Sequence, residues 1–232
     1  RLMAINLYSY VVNPYTSQAF FNAELFTEHV RKAQRIMDDI IDLELEKIDK
    51  ILEKIAQDPE DEETKRIEIL LWENIRHKAT LGRRTGLGIT AEGDMLAALG
   101  YRYGSDEAIN FSVGVHRTLA LEAYRSSVEM AAERGPFEIY DPQREQNNPF
   151  IQRLKEADEG LYENMVKYGR RNISLLTVAP TGSVSILTQT SSGIEPVFAV
   201  KYKRRRKINP TGFPAGKIAY TDISGDAWEE YN

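Results

Sequence analysis

This 232-residue sequence is informative first for what it lacks, beginning with cysteine, which is absent. Without a thiol, these residues supply no disulfide, thiolate zinc site, iron–sulfur cluster or cysteine nucleophile. Three histidines leave little for a histidine-rich metal site. No apolar run approaches the roughly 20 residues of a membrane helix, and no secretory leader is visible. We therefore expect a cytoplasmic location and no membrane partner.

A dominant charge is also lacking. Thirty basic and 35 acidic residues give a net charge of −5, which by itself indicates neither a nucleic acid nor an acidic partner. The sequence opens on Arg1 and leads straight into the apolar run from Leu2 to Leu7. A natural chain rarely starts inside a buried element. We therefore expect a piece excised from a longer chain, whose other parts can contain cysteine.

Hydrophobic periodicity predicts strands separated by helices. Apolar and β-branched runs predict strands, and apolar residues at steps of three and four predict helices. The predicted strands are 4–12, 174–179 and 197–202. The predicted helices run from Ser17 or Asn22 to Asp58, through Ile67 and Ile75 to Gly82, over 94–99, from Ser105 to Gly135, and as one or two short helices before Gly169. This order predicts an α/β layer architecture with parallel strands. We expect residues 1–232 to form a single domain in which 210–232 is a loop-like tail or insertion.

Two patterns have a functional form but favour a structural interpretation. Residues 86–91 (GLGITA) fit the letters of the dinucleotide fingerprint, but a charged helix precedes them instead of a core strand. Close backbone packing at a turn is favoured there. The acids of 38–46 resemble a carboxylate cluster, but no histidine has a glutamate three residues before it. A solvated helix face is favoured for these acids.

The segment Lys201–Lys207 places six cations in seven residues. Such a cluster is able to bind the phosphates of a nucleic acid or to contact a subunit. Only Tyr202 supplies an aromatic ring among the cations. The end of a strand emerging into solvent, or a subunit contact, is the favoured interpretation.

The best candidate site on physical grounds is the segment Ala179–Ser185 (APTGSVS). An apolar strand ends there, Pro180 and Gly182 favour a tight turn, and small hydroxyl residues follow. Successive backbone N–H groups in such a turn are able to converge on an anion, with hydroxyl groups adding hydrogen bonds. A purely structural turn between strand and helix is the alternative. No lysine follows as in the Walker loop, which argues against a triphosphate hydrolase.

At this loop the sequence resembles a known family. Residues 171–204 (RNISLLTVAPTGSVSILTQTSSGIEPVFAVKYKR) resemble the catalytic subunit of ribonucleotide reductase, most closely the adenosylcobalamin-dependent class II type. The segments 4–7 (AINL), 12–16 (VNPYT) and 84–90 (RTGLGIT) resemble the same family in the same order.

The resemblance implies part of a ten-stranded α/β barrel with long surrounding helices. It implies reduction of the ribose 2′-hydroxyl by a thiyl radical, with a cysteine pair supplying electrons. In the family register, the radical cysteine lies upstream and one member of the reducing pair immediately before Arg1. No catalytic residue is therefore expected among residues 1–232.

The resemblance also implies site residues, a cofactor and partners. The substrate phosphate is expected at Thr181, Gly182, Ser183, Val184 and Ser185, with Pro180 shaping the loop beside the sugar. The expected cofactor is adenosylcobalamin, and the alternative is a class I large subunit with a separate radical-generating subunit. The expected partners are a ribonucleoside di- or triphosphate, a thioredoxin-like or dithiol reductant, and a second copy in a homodimer.

Overall fold

A computed structural model describes residues 1–209 and 217–231. The chain divides into two compact units, Arg1–Pro196 and Val197–Asn232. The first unit holds the long helices, a short parallel sheet and the predicted site. The second is a small antiparallel sheet.

Two long helices follow the first strands of the chain. Helix α1 (Ala23–Gln57) begins after Asn22, whose side-chain oxygen accepts a hydrogen bond from Leu25 N at 3.0 Å. Its apolar stripe enters the core through Phe26, Val30, Met37, Ile41 and Ile48. Helix α2 (Glu62–Gly82) begins after the cap Asp61 and packs against α1. Both helices confirm the elements predicted from periodicity, although Ile67, Leu70 and Leu71 of α2 are exposed.

The remaining helices also lie close to their predicted positions. Helix α3 spans Glu92–Ala98 and helix α4 spans Asp106–Arg134, with Ser105 as the N-cap and Gly135 after the last turn. Short helices α5 (Pro142–Glu145), α6 (Pro149–Ala157) and α7 (Glu159–Tyr168) follow, and α8 spans Gly182–Thr188.

The parallel sheet is small. Strand β1 (Met3–Asn6) pairs with β4 (Leu87–Thr90) in parallel, with Asn6 opposite Thr90. The predicted strand 4–12 breaks after Asn6, whose side chain accepts from Tyr8 N and starts a 3-10 turn over Leu7–Tyr10. Strand β2 (Val11–Val12) then pairs with β3 (Phe20–Phe21) in the opposite direction.

The predicted strand 174–179 is reduced to a single parallel β-bridge between Leu176 and Leu87. The segment still lies along β4, since Leu87 N donates to Leu175 O at 2.7 Å and Thr177 N to Leu87 O at 3.0 Å. No further backbone hydrogen bond joins the two segments after Thr177. The α/β class with parallel strands is confirmed, and the described residues do not close a barrel.

The glycines of the 86–91 segment serve close packing, as their context indicates. A Cβ on Gly88 would collide with the carbonyl oxygen of Thr177. One on Gly86 would lie 2.8 Å from Leu2 Cδ2. Glycine therefore allows β4 and the 174–177 segment to approach each other at backbone distance.

A buried charged cluster corrects the interpretation of one of the α1 acids, Asp38. Asp38 is completely buried, not solvated. Its carboxylate lies 2.8 Å from Arg83 Nε and 3.2 Å from Arg171 Nε, and it accepts from Asn172 Nδ2 at 2.8 Å. Arg134 adds a longer ion pair at 3.7 Å. We call these five residues the Asp38 cluster.

The second unit differs from the prediction at both of its ends. Residues 197–202 form no strand, and Val197, Phe198 and Val200 are exposed. Instead β5 (Arg204–Lys207), β6 (Ile218–Thr221) and β7 (Ala227–Tyr231) form an antiparallel sheet in the order β5–β7–β6. The loop-like tail is therefore wrong for 218–231, where a tight turn closed by Asp222 joins two strands. Residues 210–216 and 232 of that prediction lie outside the described residues.

The Asp38 cluster gives a stability prediction. We expect Asp38→Asn to lower the free energy of unfolding by about 3–5 kcal/mol, because Arg83 and Arg171 lose a buried carboxylate partner. Asp39→Asn is the matched control on the exposed side of α1, where the ion pair with Arg134 is worth less than about 1 kcal/mol. Urea denaturation followed by circular dichroism measures both. Equal losses for the two variants would contradict a central role for Asp38.

Candidate functional site

The predicted loop is a sharp turn that leads into α8. Thr181 precedes the helix in the left-handed conformation, with φ of +51°. This conformation is uncommon for a β-branched residue, so neighbouring groups must hold it in place. Pro180 is exposed immediately before the turn, and Gly182 opens the helix with nothing within 4 Å of the position of a Cβ.

Two hydroxyl groups of the loop are used within the protein. Thr181 Oγ1 accepts from Gly193 N at 2.8 Å and lies 2.9 Å from Thr90 Oγ1. Ser185 Oγ donates to Gly182 O at 2.8 Å, and Ser185 N donates to Thr181 O at 2.8 Å. These side chains therefore shape the turn.

Other polar groups of the turn have no partner among the described residues. The backbone N–H groups of the first helical turn, at Gly182, Ser183 and Val184, precede the first intrahelical acceptor, as in any helix. No acceptor for them occurs among the described residues, and the Ser183 side chain is exposed. Three amides and one hydroxyl of the turn are therefore unused by the described residues.

A second sequence motif, 190–196 (TSSGIEP), lies against the same turn. Ser191 N donates to Asp94 Oδ2 at 2.7 Å, and Tyr103 Oη donates to Ile194 O at 2.9 Å. A Cβ on Gly93 would lie 2.6 Å from Pro196 Cα, so this segment crosses the start of α3 at close range. The hydroxyl of Ser191 is buried and has no hydrogen-bond partner among the described residues.

Three of these residues, Thr90, Asp94 and Tyr103, were not singled out from the sequence. The available signal was the position of Thr90 at the carboxyl end of a parallel strand, where α/β folds bind ligands. The contact between Asp94 and Ser191 spans 97 positions, and no local pattern encodes it. The structure thus brings together two segments that resemble the family and the end of β4.

Glu92, the first residue of α3, is buried beside this arrangement. Its carboxylate lies 2.9 Å from His116 Nε2 on α4. Burial alone would raise the pKa of Glu92, but hydrogen bonds from His116 and Ser112 outweigh burial and hold the pKa below its usual value. These residues and Tyr103 line a cavity of about 320 Å³ next to the 190–196 segment.

Four of the six cations in the basic segment 201–207 form ion pairs with three acids at and next to β7. Arg205 pairs with Glu230 at 2.8 Å, Lys207 with Asp226 at 2.6 Å, and Arg206 with Glu229. Lys203 also lies 3.6 Å from Glu230. These contacts give four of the cations a structural role in the small sheet.

Two further properties concern only residues 1–209 and 217–231. This part of the chain contains no cluster of three or more histidine, cysteine or acidic side chains suited to a metal ion. None of its helices combines the length and the apolar character that a membrane crossing requires.

The family of the chain follows from its sequence. The family model for the ribonucleotide reductase barrel domain matches residues 1–213. The chain belongs to this family, which agrees with the resemblance of the 179–196 region.

Three relatives show how much of the family's length is present. A vitamin B12-dependent ribonucleoside-diphosphate reductase of Mycobacterium tuberculosis is 32% identical over 123 residues, which are 53% of this chain and 15% of the relative. One of the same description from Thermoplasma acidophilum is 28% identical over 204 residues, 88% of this chain and 21% of the relative. The ribonucleoside-diphosphate reductase subunit alpha of Helicobacter pylori is 29% identical over 157 residues, 59% of this chain and 20% of the relative. The chain thus spans about a fifth or less of the curated relatives it matches.

One solved structure supports the fold. The class Id ribonucleotide reductase alpha subunit of Actinobacillus ureae matches with a TM-score of 0.50 and 21% identity. The match covers 84% of this chain and 27% of that subunit.

Glu92 gives a pH-dependent prediction. Its pKa in the fold lies below the usual 4.5, so its stabilising contribution is complete above pH 4.5 and is lost as the pH falls through the folded pKa. We expect the stability advantage of the wild type over Glu92→Gln to be largest near pH 6 and to shrink below pH 4.5. Thermal unfolding between pH 6 and pH 3 measures this difference. An advantage that stays constant over that range would contradict the charged form of Glu92 in the fold.

Proposed function

We propose that this chain is the part of a ribonucleotide reductase that holds the phosphates of the substrate nucleotide. The observation that carries the proposal is the turn at Thr181–Val184, whose three free amides follow a strained residue fixed by two neighbouring segments. Family membership supports the same role. In this arrangement Gly182, Ser183 and Val184 bind the phosphate, Thr181 and Ser185 shape the turn, and Pro180 borders the sugar.

The proposed activity of the complete protein is conversion of ribonucleotides to 2′-deoxyribonucleotides. The ribose 2′-hydroxyl leaves as water, and two cysteine thiols supply the two electrons and become a disulfide. These cysteines, and the cysteine that forms the thiyl radical, do not belong to residues 1–232. The contribution of this chain is orientation, because a radical step needs near-contact geometry between the sugar carbons and the reacting sulfur.

We assign the substrate as a ribonucleoside diphosphate, as the names of the relatives suggest. A thioredoxin-like protein or a small dithiol restores the cysteine pair in this proposal. A homodimer and a cytoplasmic location belong to the same proposal for the complete protein.

The proposed cofactor is adenosylcobalamin, supported by the description of two of these relatives as vitamin B12-dependent. When bound, it supplies the radical. The histidines give it no defined contact: His29 is engaged with Tyr10 and His116 with Glu92, and His77 lies on the exposed side of α2. No role in the cofactor site is therefore assigned to this chain.

The cofactor prediction is tested on the complete protein with a dithiol reductant and cytidine diphosphate. We expect deoxycytidine diphosphate to form only when adenosylcobalamin is added. Turnover without the cofactor, once a second metal-bearing subunit is supplied, would instead place the protein in class I.

Gly182 tests the phosphate loop. A side chain at this position enters open space, so Gly182→Asp and Gly182→Asn are both expected to fold. The two side chains are nearly isosteric and differ in charge. We expect KM for cytidine diphosphate to be at least about tenfold higher for Gly182→Asp than for Gly182→Asn. The added carboxylate would repel the phosphate, because like charges about 4 Å apart near a protein surface repel by about 4 kcal/mol.

The comparison of the aspartate and asparagine variants removes effects of side-chain size. Steady-state kinetics measures KM, and equilibrium dialysis of cytidine diphosphate measures Kd without turnover. If the aspartate and asparagine variants share the same KM and Kd, the loop is not the phosphate site.

A further inference from the structure

Thr90 is the last residue of β4 and is completely buried. Its hydroxyl contacts two segments that are far away in sequence. Thr90 Oγ1 lies 2.9 Å from Thr181 Oγ1 in the loop and 3.3 Å from Ser191 O in the 190–196 segment. A single side chain therefore joins the end of the sheet to both halves of the candidate site.

Counting donors and acceptors shows which group donates each hydrogen bond in this contact. Gly193 N donates to Thr181 Oγ1 at 2.8 Å, and the Ser191 carbonyl only accepts. Each threonine hydroxyl has one proton. All four groups are satisfied when Gly193 N–H donates to Thr181, Thr181 to Thr90, and Thr90 to Ser191 O. We call this series the Thr90 relay.

The Thr90 relay holds the least favourable backbone conformation of the loop. Thr181 has φ of +51°, which costs on the order of 1–3 kcal/mol unless the surroundings fix it. Its hydroxyl is anchored on one side by Thr90, which is itself fixed in the sheet by pairing with Asn6. The neighbouring amides of Gly182 to Val184 take their positions from Thr181.

We propose that Thr90 is a positioning residue for phosphate binding, which acts through Thr181 and does not touch the substrate. This inference rests on the proposed function of the 181–184 turn. Asp94 assists by holding Ser191 N at 2.7 Å, which fixes the far end of the Thr90 relay.

The test uses the complete enzyme and the variant Thr90→Val, which keeps the shape of the side chain and removes the hydroxyl. We expect KM and Kd for cytidine diphosphate to rise about fivefold to tenfold, the effect of one lost hydrogen bond on loop geometry. kcat is expected to change less than twofold, since phosphate binding and not the radical step is affected. Thr90→Ser restores the hydroxyl and is expected to bring KM within twofold of wild type.

Thr85→Val is the matched control. Thr85 is also buried near β4, and its hydroxyl contacts Gln34 at 3.1 Å and Ser174 O at 3.2 Å, away from the turn. We expect this variant to lower the melting temperature and to leave KM unchanged. If Thr90→Val does not fold, Thr181→Val breaks the Thr90 relay from the partly exposed side, with the same expected rise in KM.

The outcomes separate this inference from the proposed function. If Gly182→Asp raises KM and Thr90→Val does not, the loop binds phosphate but Thr90 does not position it. Equal rises in KM for Thr90→Val and Thr85→Val, or a failure of Thr90→Ser to restore KM, would also overturn the inference. If Gly182→Asp and Gly182→Asn have the same KM and Kd for cytidine diphosphate, the proposed function itself is wrong.

Discussion

The structure of the first unit depends on the burial of one carboxylate. Asp38 carries its charge out of water, which is tolerable only because Arg83 and Arg171 neutralise it and Asn172 donates to it. Arg83 directly follows α2 and precedes β4, and Arg171 and Asn172 precede the 174–177 segment. A single buried charge thus fixes the starting points of the two chain segments that form the site.

Two backbone segments connect the Asp38 cluster to the turn at Thr181. A short link joins α2 to β4, which ends at Thr90, and the neighbouring segment runs alongside β4 until Thr177. Gly88 lets the two approach so closely that their relative positions are tightly limited. The strained residue Thr181 therefore lies where the sheet places it, and a phosphate-binding turn needs this kind of fixed scaffold.

The sequence predicted the helices well and the strands poorly, for physical reasons. Periodicity and caps such as Asn22 and Ser105 are local, and they located the long helices to within a few residues. Strand pairing is not local, so 174–179 and 197–202 look like buried strands although one makes a bridge and the other none. The predicted turn at 181–185 was recognisable from its residue types and its family resemblance. The hydroxyl contacts of Thr90 and the burial of Asp38 were not, because their partners lie tens of positions away.

The separation of the Asp38 cluster along the chain has a consequence for biosynthesis. Asn172 is made 134 residues after Asp38, a delay of about ten seconds at ordinary rates of translation. During that interval α1 and α2 are able to pair as a local hairpin, while the carboxylate stays hydrated beside Arg83. The carboxylate of Asp38 is fully buried only after the later segment has been synthesised. The order of synthesis therefore sets the order in which parts of the core become inaccessible to water.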